Sequence, residues 1–298
     1  LRRLDVQRRH LMILAAAAAA TPGVQAQVVD LNDAINKAGR QRMLSQRMGK
    51  AWLALVHKTQ SANAQVVLDK SMALFDRQLV ELKAYAPSND IRDTYIQLEG
   101  AWSDYKTALV GAAPGKPGAV AVLQADARVL ALAHQGTLQY EAAMGRPVGK
   151  LVNIAGRQRM LSQRMAKFYY AATLPVEAQT ATTEIGKART EFLSAMDLLR
   201  NAPEATSRIR DELALADGQW FFLDQALQRM QSSGAAAKPL STQGPETSHV
   251  NERPGDPPLY YQFISKINIK TLTRYLTPHT IRAGSPLPRV NPSAADSG

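Results

Sequence analysis

Apolar residues recur at three- and four-residue spacing from Asp30 to about Gln231, and the alternating pattern of a β-strand is scarce. Prolines, glycines and capping serines interrupt this pattern at intervals. The pattern predicts helices over residues 31–58, 61–86, 88–111, 119–144 and 148–173, with two more starting near residues 175 and 203. We therefore expect an all-α fold.

One stretch of eleven residues occurs twice in the chain. "AGRQRMLSQRM" covers residues 38–48 and again residues 155–165. Asn36 matches Asn153 at the same offset, and Lys50 matches Lys167. The whole unit of about 115 residues is therefore duplicated. Amphipathic helices with short connections predict two tandem up-down helical-bundle modules, at residues 29–144 and 148–231.

The second module lacks a clear fourth helix. Its expected position, residues 233–261, contains five prolines and three glycines. Because each interior proline costs a helix about 3 kcal/mol, a continuous helix is excluded there. We expect residues 232–298 to form a Pro-rich, largely irregular tail.

The first 26 residues resemble an export signal. A basic segment, "LRRLDVQRRH", precedes the short apolar run "LMILAAAAAA" and the small-residue site "VQA". We expect a periplasmic protein, with an uncleaved membrane anchor as the alternative. The formal charge of +11 would normally suggest nucleic acid as a partner, but export argues against one. The absence of cysteine excludes disulfides and thiol chemistry.

The sequence gives no sign of an enzyme. The histidines after the leader are His57, His134, His249 and His279, and none has metal-ligand spacing. A nucleophile–base pair and a phosphate-binding loop are also missing from the sequence pattern. We therefore expect a non-enzymatic protein with no metal and no cofactor.

The repeated box has two distinct helical faces at 100° per residue. Leu44 and Met48 fall on a core-like face, whereas a glycine, an arginine and a glutamine share another stripe. The glycine would let a partner helix approach, and the arginine would present a planar donor fork. The candidate binding residues are Gly39, Arg42 and Gln46 in the first copy, and Gly156, Arg159 and Gln163 in the second.

If two such stripes meet, two guanidinium groups face each other in a partly dry seam. Like charges at 4 Å repel by about 4 kcal/mol at an effective dielectric of 20. A small planar oxyanion would relieve this repulsion by accepting hydrogen bonds from both groups. The alternative for an isolated box is a solvated face. The other box side chains have simpler interpretations, namely pairing with acids or water for Arg40, Arg47, Arg157 and Arg164, and packing for Met43, Met48, Met160 and Met165.

The longer segments "INKAGRQRMLSQRM" and "VNIAGRQRMLSQRM" resemble the signature helix of PilJ-type sensor domains, the periplasmic modules of type IV pilus chemotaxis transducers. They are also similar to the box of NarX-type nitrate and nitrite sensors. In those sensors two copies of the box meet across a parallel dimer and hold one nitrate. The resemblance implies ligand contacts for Arg42, Arg159, Gly39 and Gly156. The Arg-Gln pair after each glycine follows the pilus-transducer pattern instead.

We therefore expect an exported sensor module without its own output domain, which binds a small anion such as nitrate or nitrite. The alternative is an interaction protein that docks to a membrane receptor or to a type IV pilus chemosensory system without a small ligand. A membrane sensor kinase or chemoreceptor is the expected signalling partner. The two boxes could meet within one chain, as an intramolecular pseudo-dimer, or in a homodimer of end-to-end modules. We favour end-to-end stacking, because tandem receptor modules usually continue along one axis.

Overall fold

The computed structural model describes residues 27–58, 61–111, 113–174 and 176–232. Within these ranges the chain is almost entirely helical and contains no strand, which confirms the all-α prediction. The helices are α1 (Leu31–Val56), α2 (Ser61–Tyr85), α3 (Asn89–Val110), α4 (Lys116–Met144), α5 (Pro147–Thr173), α6 (Ala178–Arg200) and α7 (Ser207–Ser232).

The helix ends follow local capping signals. The Ser88 side chain accepts a hydrogen bond from the backbone N–H of Ile91 at 3.4 Å, as predicted for a cap of α3. Gly145 adopts a left-handed conformation with φ of 61° and ends α4, and Pro147 begins α5. The start of α4 differs from the prediction, since the helix begins at Lys116 rather than at residue 119. The reason is that proline is compatible with the first turn of a helix, where its missing N–H has no partner to lose.

The two modules repeat the same internal packing. Phe75 contacts Trp102 with ring centroids 4.4 Å apart, and Phe192 stacks on Trp220 at 4.6 Å in the second module. In each module a glutamine amide of the box also donates to the carbonyl of that phenylalanine. The repeat seen in the sequence is therefore a repeat of packing, with α1, α2 and α3 matching α5, α6 and α7.

Helices α1 and α5 form the central contact of the molecule, and they run parallel. A Cβ atom built on Gly149 would lie 3.3 Å from Ile35, one built on Gly39 would lie 3.9 Å from Gly156, and one built on Gly49 would lie 2.9 Å from Lys167. The contacting positions therefore increase in the same order along both helices, as parallel helices require. The expectation of modules stacked end to end is wrong. The turn at Gly145 folds the second module back against the first, and the chain is an intramolecular pseudo-dimer.

Two predictions fall outside the described residues. They concern the export signal in residues 1–26 and the irregular tail after residue 232. Within the described ranges, none of the helices is sufficiently apolar over a sufficient length to span a membrane.

Candidate functional site

The two box glycines face each other across the α1–α5 seam. A Cβ atom built on either glycine would lie 3.9 Å from the Cα atom of the other. The same position on Gly39 is only 3.3 Å from Nη2 of Arg42. Glycine at both positions therefore allows close approach of the helices and leaves space for the arginine tips, as the sequence predicted.

The seam brings Arg42 and Arg159 together, and each reaches across to the opposite helix. Nη2 of Arg42 donates to Oδ1 of Asn153 at 2.6 Å, and Nη2 of Arg159 donates to Oδ1 of Asn36 at 3.1 Å. Both Nη2 atoms lie within 4 Å of the position where a Cβ of Gly156 would sit. The contacts are reciprocal, so the site has approximate two-fold symmetry about the helix direction.

Both guanidinium groups are buried, with exposed fractions of 0% for Arg42 and 8% for Arg159. Burial, together with the smaller effect of the charges of Arg157 and Arg159, lowers the pKa of Arg42 from 12.5 to about 9. Burial also lowers the pKa of Arg159 to about 10, with a smaller contribution from Arg40. Neither arginine forms an ion pair with any described residue, and the buried Nε atom of each has no hydrogen-bond partner there. The seam therefore holds two cations without a direct counter-ion.

His134 of α4 completes the site, and sequence reasoning missed it. Its Nδ1 lies 3.2 Å from Nη1 of Arg42, and its Nε2 lies 3.4 Å from Nη1 of Arg157. Burial and these two positive charges lower the pKa of His134 to about 4. The sequence shows histidines at metal-ligand spacing when they share a metal, but a contact between residues 42 and 134 has no local spacing that would reveal it.

Asn36 and Asn153 were also missed as site residues. They were recognised only as members of the repeat, three residues before each box glycine. Asn153 receives the Arg42 hydrogen bond and itself donates to the carboxylate of Glu141. A polar residue repeated one turn before each glycine was the available signal, because one helical turn places it on the same seam.

The two predicted glutamines have different surroundings. Gln46 donates to Oδ1 of Asp126 at 2.7 Å and to Oγ of Ser45 at 3.0 Å, so its amide nitrogen is engaged away from the arginine pair. Gln163 is buried, and its Oε1 has no hydrogen-bond partner among the described residues. The structure therefore joins Gln46 to a second polar cluster.

This second cluster connects α1, α4 and α5. Lys167 and Asp126 form an ion pair in which both side chains are almost fully buried. The lysine crosses α1 at Gly49, where an added Cβ would lie 2.9 Å from Cδ of Lys167 and 3.1 Å from Oη of Tyr105. Burial lowers the pKa of Lys167, while Asp126 acts in the opposite direction. These contacts hold α1, α4 and α5 together next to the box.

The remaining box side chains in the second copy behave as predicted. Arg157 pairs with Glu191 and Arg164 pairs with Glu184, although Arg157 also contacts His134. The box methionines are buried or partly buried in the apolar core. Among the described residues, no group of histidine, aspartate and glutamate side chains is arranged to hold a metal ion.

The fold and the site define a duplicated helical module with two buried arginines at a glycine crossing. The family model of the type IV pili methyl-accepting chemotaxis transducer N-terminal domain, PilJ, matches residues 24–135 and 142–245. These two regions cover more than half of the chain, so the chain belongs to the PilJ family and carries the domain twice. The family is sensory and non-enzymatic. No curated protein and no solved structure matches the chain.

Proposed function

We propose that this protein is a sensor module that binds one small planar oxyanion, such as nitrate or nitrite, between Arg42 and Arg159. The observation that carries the proposal is the pair of buried guanidinium groups at the Gly39–Gly156 crossing, which have no counter-ion among the described residues. Membership of a sensory family supports it at the level of class.

The chemistry of the seam suits a small anion. Each arginine keeps a buried Nε–H without a partner among the described residues, and a planar oxyanion accepts paired N–H donors from such a fork. Its negative charge would offset the repulsion between the two cations in a poorly solvated seam. Binding would therefore stabilise one packing of α1 against α5, and a helix shift of this kind is how a signal leaves a sensor.

The same reasoning extends to location and partner. The module acts in the periplasm, in keeping with PilJ domains of chemoreceptors and with the signal-like residues 1–26. It passes its state to a membrane chemoreceptor or sensor kinase. A reporter enzyme that is active only after export, fused behind residue 232, tests the location, and an inactive fusion argues against it. Loss of activity after deletion of residues 1–26 would identify these residues as the export signal.

A second function has one observation in its favour. Arg42 and Arg159 already donate hydrogen bonds to Asn153 and Asn36 of the opposite helix without any ligand. A seam that is satisfied in this way could serve as a packing interface alone. The protein would then be an interaction protein that docks to a receptor or to the pilus chemosensory system.

Thermal unfolding of the full chain with nitrate, nitrite, chloride and sulfate, compared at equal ionic strength, separates the two functions. An anion at 100 times its Kd stabilises the fold by about 2.7 kcal/mol, which raises Tm by about 5–10 °C for a domain of this size. Arg42→Met and Arg159→Met should each remove the rise. Arg128→Met is the matched control, because Arg128 is 68% exposed and pairs only with Asp104 at the surface. If no anion raises Tm, the interaction function replaces the sensor function.

A further inference from the structure

We propose that His134 is a third binding side chain of the anion site, and that it takes up a proton when the anion binds. This inference rests on the proposed function, since it deepens the same site. It makes the protein a sensor of an oxyanion in acidic surroundings, with an affinity that rises as the pH falls.

The first observation is a conflict of hydrogen bonding around the His134 ring. Nη1 of Arg42 lies 3.2 Å from Nδ1, and Nη1 of Arg157 lies 3.4 Å from Nε2. A neutral imidazole has one acceptor nitrogen and one N–H, while arginine only donates. Whichever tautomer is present, one arginine faces an N–H group. An acceptor placed between the ring and the arginines resolves the conflict.

The second observation is the distribution of charge around the ring. Helix α1 contributes Arg42 and α5 contributes Arg157, while Arg159 of α5 acts on Arg42. Glu191 of α6 pairs with Arg157, and Glu141 of α4 accepts a hydrogen bond from Asn153 and acts on Arg42 through its charge. Helix α3 contributes the buried hydroxyl of Tyr95, which carries no charge because burial raises its pKa. The two charges that act on the ring itself, those of Arg42 and Arg157, are both positive.

These surroundings make proton uptake depend on the anion. Without an anion, Arg42 and Arg157 oppose a further positive charge on the ring. An anion within hydrogen-bond distance favours the imidazolium form, which then donates from both nitrogens. The ring is only half-buried, so a proton can reach it from water, whereas Arg42 stays charged near neutral pH because its pKa, although lowered by burial, is still about 9. One N–H bond forms on the ring as hydronium or a buffer acid gives up a proton, and no other bond changes.

Linkage fixes the direction of the effect. If bound anion raises the proton affinity of His134, then a proton on His134 raises the anion affinity by the same factor. Between the pKa of the free site and the higher pKa of the occupied site, anion affinity increases as pH falls, by at most tenfold per pH unit. Above the pKa of the occupied site the affinity is flat.

Calorimetric titration of the full chain with sodium nitrate, and then sodium nitrite, tests the proposal. Titrations at pH 5.5 in two buffers of different ionisation enthalpy report the number of protons taken up. We expect uptake approaching one proton per anion, and binding about three- to tenfold tighter at pH 5.5 than at pH 7.5. In His134→Asn the side-chain oxygen still accepts from Arg42 but cannot titrate, so proton uptake and pH dependence should disappear.

His57→Gln is the matched control. His57 is also half-buried with a lowered pKa, but it caps the far end of α1 and contacts the Tyr170 carbonyl. This variant should keep the proton uptake of the wild type, and a melting curve of each variant establishes that it is folded. If the wild type binds nitrate or nitrite without proton uptake, or if His134→Asn retains the uptake, the proton-linked role is overturned and the anion site stands. If the wild type binds neither anion at either pH, the proposed function itself fails.

Discussion

Replacing Arg42 with methionine should stabilise the anion-free protein, although it removes three hydrogen bonds. The guanidinium is fully buried, and its pKa falls from 12.5 to about 9 because burial and neighbouring arginines oppose its charge. A lowering of this size corresponds to about 5 kcal/mol of unfavourable free energy for the charged form. Methionine fills a similar volume and carries no charge, and uncharged replacements of buried ionic groups are often stabilising.

Several losses oppose this gain. Three hydrogen bonds from Arg42 disappear, one to His134 and two to the side-chain and backbone oxygens of Asn153, at about 1 kcal/mol each. Oδ1 of Asn153 also loses its partner in a buried position, which costs about another 1 kcal/mol. The expected net result is a gain of about 1 kcal/mol in the free energy of unfolding.

Urea unfolding in a buffer whose only anions are bulky organic ones measures this change. Arg42→Met should raise the midpoint with an unchanged slope, while Arg128→Met at the surface should leave the midpoint within about 0.5 kcal/mol of the wild type. Adding the bound oxyanion should then stabilise the wild type and leave Arg42→Met unaffected. A loss of 1 kcal/mol or more in Arg42→Met without anion would refute the reasoning, because the charge would then be compensated in the folded state.

Three further predictions concern the surroundings of the site. Asp126→Asn should lower the free energy of unfolding in urea by about 3–5 kcal/mol, because it leaves the charge of the buried Lys167 uncompensated. Adding Lys167→Met should restore much of this loss, and equal stability of the single and double variants would contradict the prediction. Gly49→Ala should destabilise by about 1–3 kcal/mol because the new Cβ meets Lys167 at 2.9 Å, whereas Gly186→Ala, with nothing within 4 Å, should gain about 1 kcal/mol in the same assay. The lowered pKa of His134, about 4, means that the unfolded chain binds the proton first, so anion-free stability should fall as the pH drops from about 6.5 towards 4. His134→Asn should flatten this part of the pH–stability curve, and an unchanged slope would show that other groups cause it.

The two halves of the seam are not equivalent, although the boxes are identical. His134 and Asp126 lie on α4, which belongs to the first module. At the repeat offset the sequence has Asn251 and Gln243, which do not ionise. Duplication within one chain allows the two sides of a site to diverge, which identical subunits cannot do. A single proton-linked imidazole beside a nearly symmetric arginine pair is a consequence of that freedom.

Much of the fold could be predicted because its causes are local. Helix positions follow from apolar spacing, and their ends follow from Ser88, Gly145 and Pro147, whose effects reach only a few residues. The repeated box also identified Arg42 and Arg159 as the central pair, because a glycine and an arginine one turn apart share a stripe on any helix.

The tertiary structure decided which groups meet. The turn at Gly145 is compatible with stacked or folded-back modules, and only the packing of α5 along α1 selects the second. This packing brings Asn36 and Asn153 into contact with the arginine pair and places His134 between Arg42 and Arg157. Gln46 instead donates to Asp126, away from the arginine pair. These contacts join residues about 80 to 120 positions apart in the chain, where local spacing carries no information. The sequence by itself determined the helices and the cationic box, and the close approach of two backbones at their glycines made the two boxes one site.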